Sequence, residues 1–256
     1  MLFLSFLLVF LGVFLKKSNM FKRWQEIAER FAKETETQLG DRIFFSWNNF
    51  KEKIRTLKNR LGFTGETLDF LGYSVDPNNG TVVDRLLNYI LDENPFIVHL
   101  AYYAESFEIV LEEDKWIKFR HLPGGISFEN AFKTQVEEWI LNLFLEDDEN
   151  ILRDEEIVEK ALVLIGAKRE NFGDFSFSLN TLPCVTLAVV YNRGVEEFEP
   201  NLSVFFKESA QYYQPTEILA HHGGLPMVAF ERARRSVLGF EESELPEFIS
   251  KYVRFE

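Results

Sequence analysis

The chain has 256 residues, 46% of them apolar and 15% aromatic, with 27 Phe; it can bury a sizeable core and is too hydrophobic for a disordered tail. Its one cysteine, Cys184, excludes an internal disulfide, an all-cysteine zinc site, a self-held iron–sulfur cluster and c-type haem attachment. The net charge of −13 is unevenly spread, with 12 Lys/Arg against 6 Asp/Glu in residues 16–60 and 16 against 35 in residues 61–256, so the acidic body repels phosphates and nucleic acid is not an expected partner.

Met1–Leu15 is uncharged and apolar and is followed by Lys16, Lys17, Lys22 and Arg23. As a helix it spans about 22 Å, short of a hydrocarbon core of about 30 Å. A secretory signal carries its positive charges before the apolar region and a small-residue cleavage site after it; the reversed order here disfavours that reading. Residues 1–19 are then either an over-long start ahead of Met20 or, through residues 1–23, a membrane anchor. The positive-inside rule puts the body of an anchored chain in the cytoplasm, tethered to the inner face, with the basic stretch against anionic lipid.

Along residues 20–256, Phe21, Trp24, Ile27, Ala28, Phe31 and Ala32 predict an amphipathic helix to about Thr37, and Ile43 through Leu57 predict a second one to Arg60. LDFLGYSV and TVV flank the turn DPNNG, a hairpin signal. Asp84 is placed to cap a short helix to Glu93, and Phe96–Tyr103, Phe107–Leu111 and Trp116–Phe119 are expected as three strands. The clearest helix begins near Phe128, with Phe132, Val136, Trp139, Ile140, Leu143 and Phe144 forming a wide apolar stripe. EDDEN (Glu146–Asn150) reads as an acidic loop that could separate two lobes, before a helix from Asp154 to Ile165 closed by Gly166. Asp174–Leu179, Val185–Tyr191 and Leu202–Phe206 are expected strands, the second a central one. Pro215-Thr216 opens a helix that Gly223, Gly224 and Pro226 end, and helix resumes to Gly239. Helices and strand groups in this order predict an α+β fold of mainly antiparallel strands packed against amphipathic helices in a single compact domain.

Two patches could carry chemistry. Arg120-His121-Leu122-Pro123-Gly124-Gly125 lies between a strand and the strongest helix, where backbone amides can receive an anion and glycines admit a close ligand; the alternative is a plain connecting turn. His221-His222-Gly223-Gly224 ends a helix. Adjacent histidines face different ways, so only one of them, His222, is a candidate metal ligand, and the competing role is electrostatic capping of the helix end. Cys184 and His99 read as core residues, Glu196 and Glu197 as a turn edge, and Arg232, Arg234 and Arg235 as partners of an anionic ligand or of the acidic body. No G-x-S-x-G, dinucleotide fingerprint, HExxH or zinc-finger spacing occurs.

At KWIKFRHLPGGISFENAF (Lys115–Phe132) and DFSFSLNTLPCVTLAVVYNRGVEEFEPNLSVFFKESAQYYQPTEILA (Asp174–Ala220) the chain resembles the prokaryotic family known as domain of unknown function 3786. The shared pattern, over about residues 65–225, is a Trp/Phe strand leading to Leu-Pro-Gly-Gly before a helix, then a Leu-Pro strand, an acidic turn, a Phe-rich strand and a Pro-Thr-Glu helix start. Relatives are found largely in archaea and anaerobic bacteria, and some join this domain to cluster-binding segments, so the resemblance implies a setting in anaerobic cofactor metabolism. Here the single cysteine cannot hold a cluster, and Gly194 and Val195 stand where an acidic residue is expected. The family has no activity to transfer, so Gly124, Gly125 and Glu217 match as pattern positions only.

The leading expectation is therefore a cytoplasmic protein that binds a small anionic ligand or cofactor at Arg120, His121, Gly124 and Gly125, with His222 nearby. The alternatives are an enzyme using His121 or His222 as acid and base, and a membrane-associated interaction protein.

Overall fold

The computed structural model describes residues 19–36, 46–109, 111–195 and 198–240. Helix α1 (Asn19–Glu36) turns Trp24, Ile27 and Phe31 inward at spacings of three and four, and α2 (Trp47–Arg55) adds Phe50 and Ile54. The second helix stops short of Arg60 because Asn59, Leu61 and Gly62 take left-handed backbone. A meander follows, β1 (Leu68–Phe70), β2 (Tyr73–Val75), β3 (Val82–Asp84) and β4 (Tyr89–Ile90), antiparallel in chain order. The expected hairpin pairs Val75 with Val82 across DPNNG. A second tight turn, at Leu71-Gly72, has positive φ at both positions and matches the strand twist.

The helix expected over Asp84–Glu93 does not form. Asp84 Oδ1 accepts the N–H groups of Leu86 (2.9 Å) and Leu87 (3.1 Å) as a cap would. Asn88 then takes φ of 57° and the chain returns as β4, pairing Val83 with Ile90. The strand expected over Phe96–Tyr103 is instead helix α3 (Ile97–Ala104), with all but Val98 buried. A short run that is apolar on every side carries no period, and burial all round suits helix and central strand alike. No strand is found among the described residues of 107–111.

The strongest helix is longer than expected. It runs as α4 (Gly125–Phe132), a π turn (Lys133–Glu137) and α5 (Glu138–Ile151), so EDDEN continues the helix and divides no lobes. The π turn has a physical reason. Phe132, Val136, Ile140 and Phe144 are all buried at spacings of four, and three such steps drift by about 120° on an ideal helix; one extra residue cuts the drift to about 20° and keeps the stripe on one face.

The larger sheet is wholly antiparallel. Its strands β5 (Trp116–Lys118), β6 (Lys168–Arg169), β7 (Phe175–Leu182), β8 (Val185–Asn192) and β9 (Asn201–Lys207) lie in the order β5-β9-β8-β7-β6. The most apolar strand, β8, is central as expected. Helix α6 (Glu155–Leu164) is capped by Asp154, whose carboxylate accepts the N–H groups of Glu156 and Ile157. After the sheet come α7 (Thr216–His222) and α8 (Leu225–Leu238); Pro226, expected to end a helix, sits in the first turn of α8, where its missing N–H costs nothing. Helix α8 is buried from Leu225 to Arg234, packs Phe230 on Phe175 and Phe177, and sends Arg232 to Asp84 of β3. One apolar cluster joins residues from Trp24 to Ala233, which makes a single compact α+β domain. No described helix is long and apolar enough to cross a membrane, and the apolar run at residues 1–15 lies outside the described residues.

Candidate functional site

A buried set of titratable groups lies where α3, α7 and β7 meet. His99 of α3 and His222 of α7 are 3% and 1% exposed, and their rings meet edge to face at 4.7 Å. His99 Nδ1 is 2.9 Å from His222 Nε2, and His222 Nδ1 is 2.7 Å from Thr181 Oγ1. The donors can be assigned from the far end. The Thr181 hydroxyl donates to the Val185 carbonyl (3.2 Å), so it accepts from His222 Nδ1–H. His222 Nε2 then carries the lone pair and accepts from His99 Nδ1–H. The chain of bonds requires His222 to be neutral, because its Nε2 accepts, and burial favours that state: it holds His222 down at about 3, with the neighbouring His221 adding to the effect. Burial, then His222 and His221, hold His99 well below the usual histidine range. Gln214, fully buried, donates through Nε2 to the His99 carbonyl at 2.8 Å and fixes this turn of α3.

Beside this floor stand Glu217 and His221, both partly exposed, and the buried Tyr102. Glu217 opens α7, and His221 is four residues on, so the two share a helix face. Tyr102 lies three residues beyond His99 on α3 and under Trp24, with ring centroids 6.0 Å apart. Burial raises the Glu217 carboxyl above the usual carboxylate range, and burial together with Glu217 raises the Tyr102 hydroxyl. Burial lowers His221 to about 4. Among the described residues no Lys or Arg forms an ion pair with Glu217. The result is a protonatable carboxyl, a neutral imidazole and a phenol set against a rigid, uncharged hydrogen-bonded floor.

The Arg120–Gly125 segment is placed differently. Arg120 spends its charge on Glu129 at 3.2 Å, and His121 is exposed at the end of a 3-10 turn (Phe119–His121). Gly124 has φ of 80°, and a Cβ on Gly125 would stand 2.1 Å from the Phe119 carbonyl oxygen. The second glycine is thus filled by the chain's own backbone, and the turn folds tightly enough for Phe119 to stack on Phe132 at 4.1 Å. The Pro123 carbonyl accepts from the Thr216 hydroxyl at 2.7 Å. Leu-Pro-Gly-Gly and Pro-Thr-Glu, far apart in sequence, therefore touch, and the contact fixes where α7 starts. No described hydrogen bond or ring contact joins His121 to His222.

Both ring nitrogens of His222 are engaged by His99 and Thr181. No three His, Cys, Asp or Glu side chains among the described residues are grouped to hold a metal ion. Cys184 is half-buried at the β7–β8 turn, where its N–H donates to the Tyr103 hydroxyl (3.0 Å) and Tyr103 donates to the Leu61 carbonyl (2.8 Å). His99 is a core residue as expected, yet it is also half of the histidine pair, which sequence reasoning missed. The C-terminal arginines meet the acidic body: Arg232 pairs with Asp84, and Arg234 and Arg235 both pair with Glu231. Glu196 and Glu197 lie outside the described residues.

No curated protein and no solved structure matches the chain. A family model does, that of a domain of unknown function, DUF3786, over residues 56–227. This span is slightly wider than the pattern read from the motifs and takes in α3, β7, the Leu-Pro-Gly-Gly turn, α7 and the whole histidine pair. The chain belongs to the DUF3786 family.

Proposed function

We propose that this protein binds a small organic ligand through Glu217 and His221, on the α7 face beside α3, with the His99–His222–Thr181 chain as its fixed floor. The observation that carries this is Glu217 itself: a largely buried carboxyl without a described cation, beside an imidazole held neutral. The carboxylate accepts hydrogen bonds and the neutral imidazole offers one acceptor beside one donor, so the ligand is one that offers donors, an amine or an amide. The anion expected at Arg120–Gly125 has less support, since Arg120 is spent on Glu129 and the glycine space is filled by backbone. An acid–base role for His222 has less support too, because a ring with a pKa of about 3 and both nitrogens bonded does not exchange protons at neutral pH.

The lone cysteine and the basic residues after the apolar run support a cytoplasmic setting. Liposome flotation of the full chain that falls steeply with salt would add the membrane tether.

Native mass spectrometry of the full chain, purified anaerobically, tests the reading. A reproducible extra mass, lost in Glu217→Gln and His221→Ala and kept in Arg120→Ala and His121→Ala, is expected. A bare polypeptide mass refutes it, and so does a ligand lost only in Arg120→Ala or His121→Ala, which would return the site to the Gly-Gly turn.

A further inference from the structure

Helices cover one face of the larger sheet. On that side Phe206 of β9 meets Phe119 and Phe132, so by strand alternation Ser203, Phe205 and Lys207 stand on the other, with Trp116 and Lys118 as their cross-strand neighbours on β5. Over β7 and β8 this second face is closed: Glu170 accepts the hydroxyls of Ser176 and Ser178, and Ala188 and Val190 are buried. Over β9 and β5 it is open, with Trp116, Ser203, Phe205 and Lys207 half-buried and Lys118 exposed.

Charge is polarised along this open part. At one end Lys207 lies over the Trp116 ring at 4.2 Å and donates to the Asp114 carbonyl at 2.7 Å, while the Asp114 carboxylate is bonded to Ser209. Lys118 lies over Phe205 at 5.8 Å. Among the described residues neither lysine forms an ion pair. At the other end the pairing of Asn192 with Asn201 continues in register to the bridge of Val195 with Phe198. Glu199 therefore falls opposite Gly194 and in the same alternation as Asn201, Ser203, Phe205 and Lys207; it is exposed, and it too has no ion pair among the described residues.

The stripe Glu199, Asn201, Ser203, Phe205, Lys207 runs from anion to cation with Ser203 at its middle, so it complements itself when reversed. We infer that this face binds a second copy of the chain, β9 lying antiparallel across β9 about a two-fold axis at Ser203, with Lys207 facing Glu199 of the partner subunit. Symmetry makes that ion pair twice and closes the assembly at a dimer. Sheets stack face to face about 10 Å apart, within reach of these side chains. Trp116 and Phe205 supply apolar area, the small Ser203 lets the strands approach at the axis, and the charges lie toward the rim. The net charge of −13 on each chain opposes association only weakly, because exposed charges more than about 8 Å apart are largely screened at physiological ionic strength.

Sedimentation velocity of the full chain tests the inference. A shift from monomer to dimer is expected between about 1 and 100 µM, as for a small, partly polar interface. Lys207→Glu and Glu199→Lys should each weaken the dimer at least about tenfold, since like charges then meet twice. The two together restore opposite charges and should bring affinity back to within about threefold of the native value. Glu199 is fully exposed, so its substitution leaves the fold intact and separates loss of contact from loss of structure. Val163→Asp, at an exposed apolar position on α6, should leave the dimer unchanged. A chain that stays monomeric at about 100 µM overturns the inference. So does a dimer indifferent to both single reversals, a double variant no better than either single one, or a dimer lost in Val163→Asp, which would move the contact to α6.

Discussion

Burying two neutral histidines makes stability depend on pH, with a sign and size that the structure sets. His99 and His222 are held below the usual histidine range, so in the native state they stay neutral where an unfolded histidine takes up a proton near 6.5. The unfolded chain then binds more protons, and stability falls as pH drops below about 6.5. From pH 7 to pH 5 the linkage costs about 2 kcal/mol per histidine, or about 4 kcal/mol for the pair, provided both native values stay below 5. His221, lowered to about 4, acts in the same sense, whereas Glu217 and Glu137, both raised, take up protons earlier in the native state and oppose it. Urea unfolding followed by tryptophan fluorescence at the two pH values measures the difference. His222→Gln, which keeps an acceptor for His99 Nδ1–H, should reduce the pH effect by about 2 kcal/mol, the share of one histidine. A native chain that loses less than about 1 kcal/mol between pH 7 and pH 5, or a variant with an undiminished loss, would refute the assignment of two buried neutral rings.

Three further outcomes follow from particular contacts. Asp84→Asn leaves Arg232 buried and uncompensated and should cost about 3 kcal/mol in chemical denaturation, since the pair is 1% and 0% exposed with nitrogen and oxygen 2.5 Å apart; a cost under 1 kcal/mol would mean that water reaches the guanidinium. Gly125→Ala must push a methyl against the Phe119 carbonyl, and a loss of about 3 kcal/mol is expected, whereas Arg120→Ala, which removes only a half-exposed ion pair, should stay within about 0.5 kcal/mol. Asp154→Ala removes the N-cap of α6 and should cost about 1 kcal/mol, recovered in large part by Asp154→Ser.

What could be read from the chain depended on how local the cause was. The stripe of α1, the cap at Asp154 and the unbroken apolar run of β8 each state their structure within a dozen residues, and each forms as expected. Ile97–Ala104 could not be read the same way, because a helix enclosed on every side has no polar face to betray its period. Asp84 shows a different limit. Its capping carboxylate was visible and does hold the next two N–H groups, but its second oxygen answers to Arg232, 148 residues away, and the backbone follows the sheet. The EDDEN stretch misleads because a run of charge resembles a loop, whereas the backbone continues the helix through it.

The candidate site was legible only in pieces. His222 stood out as half of a His-His pair, yet what gives it meaning is His99, 123 residues earlier, and a hydroxyl on β7. Leu-Pro-Gly-Gly looked like a cradle for an anion because glycine beside a helix start can admit a phosphate. Here the same glycine admits a carbonyl of its own chain, and the motif works as a joint: it presents the Pro123 carbonyl to Thr216, whose bond sets the first turn of α7 and hence the position of Glu217. Two family motifs that looked like separate candidates thus touch and form one construction, in which the turn positions α7 and with it the carboxyl proposed above to meet a ligand. Loosening the joint with Thr216→Val should therefore weaken ligand retention in the same direction as Glu217→Gln while leaving the His99–His222 contact in place. Full retention in a folded Thr216→Val chain would separate the joint from the site.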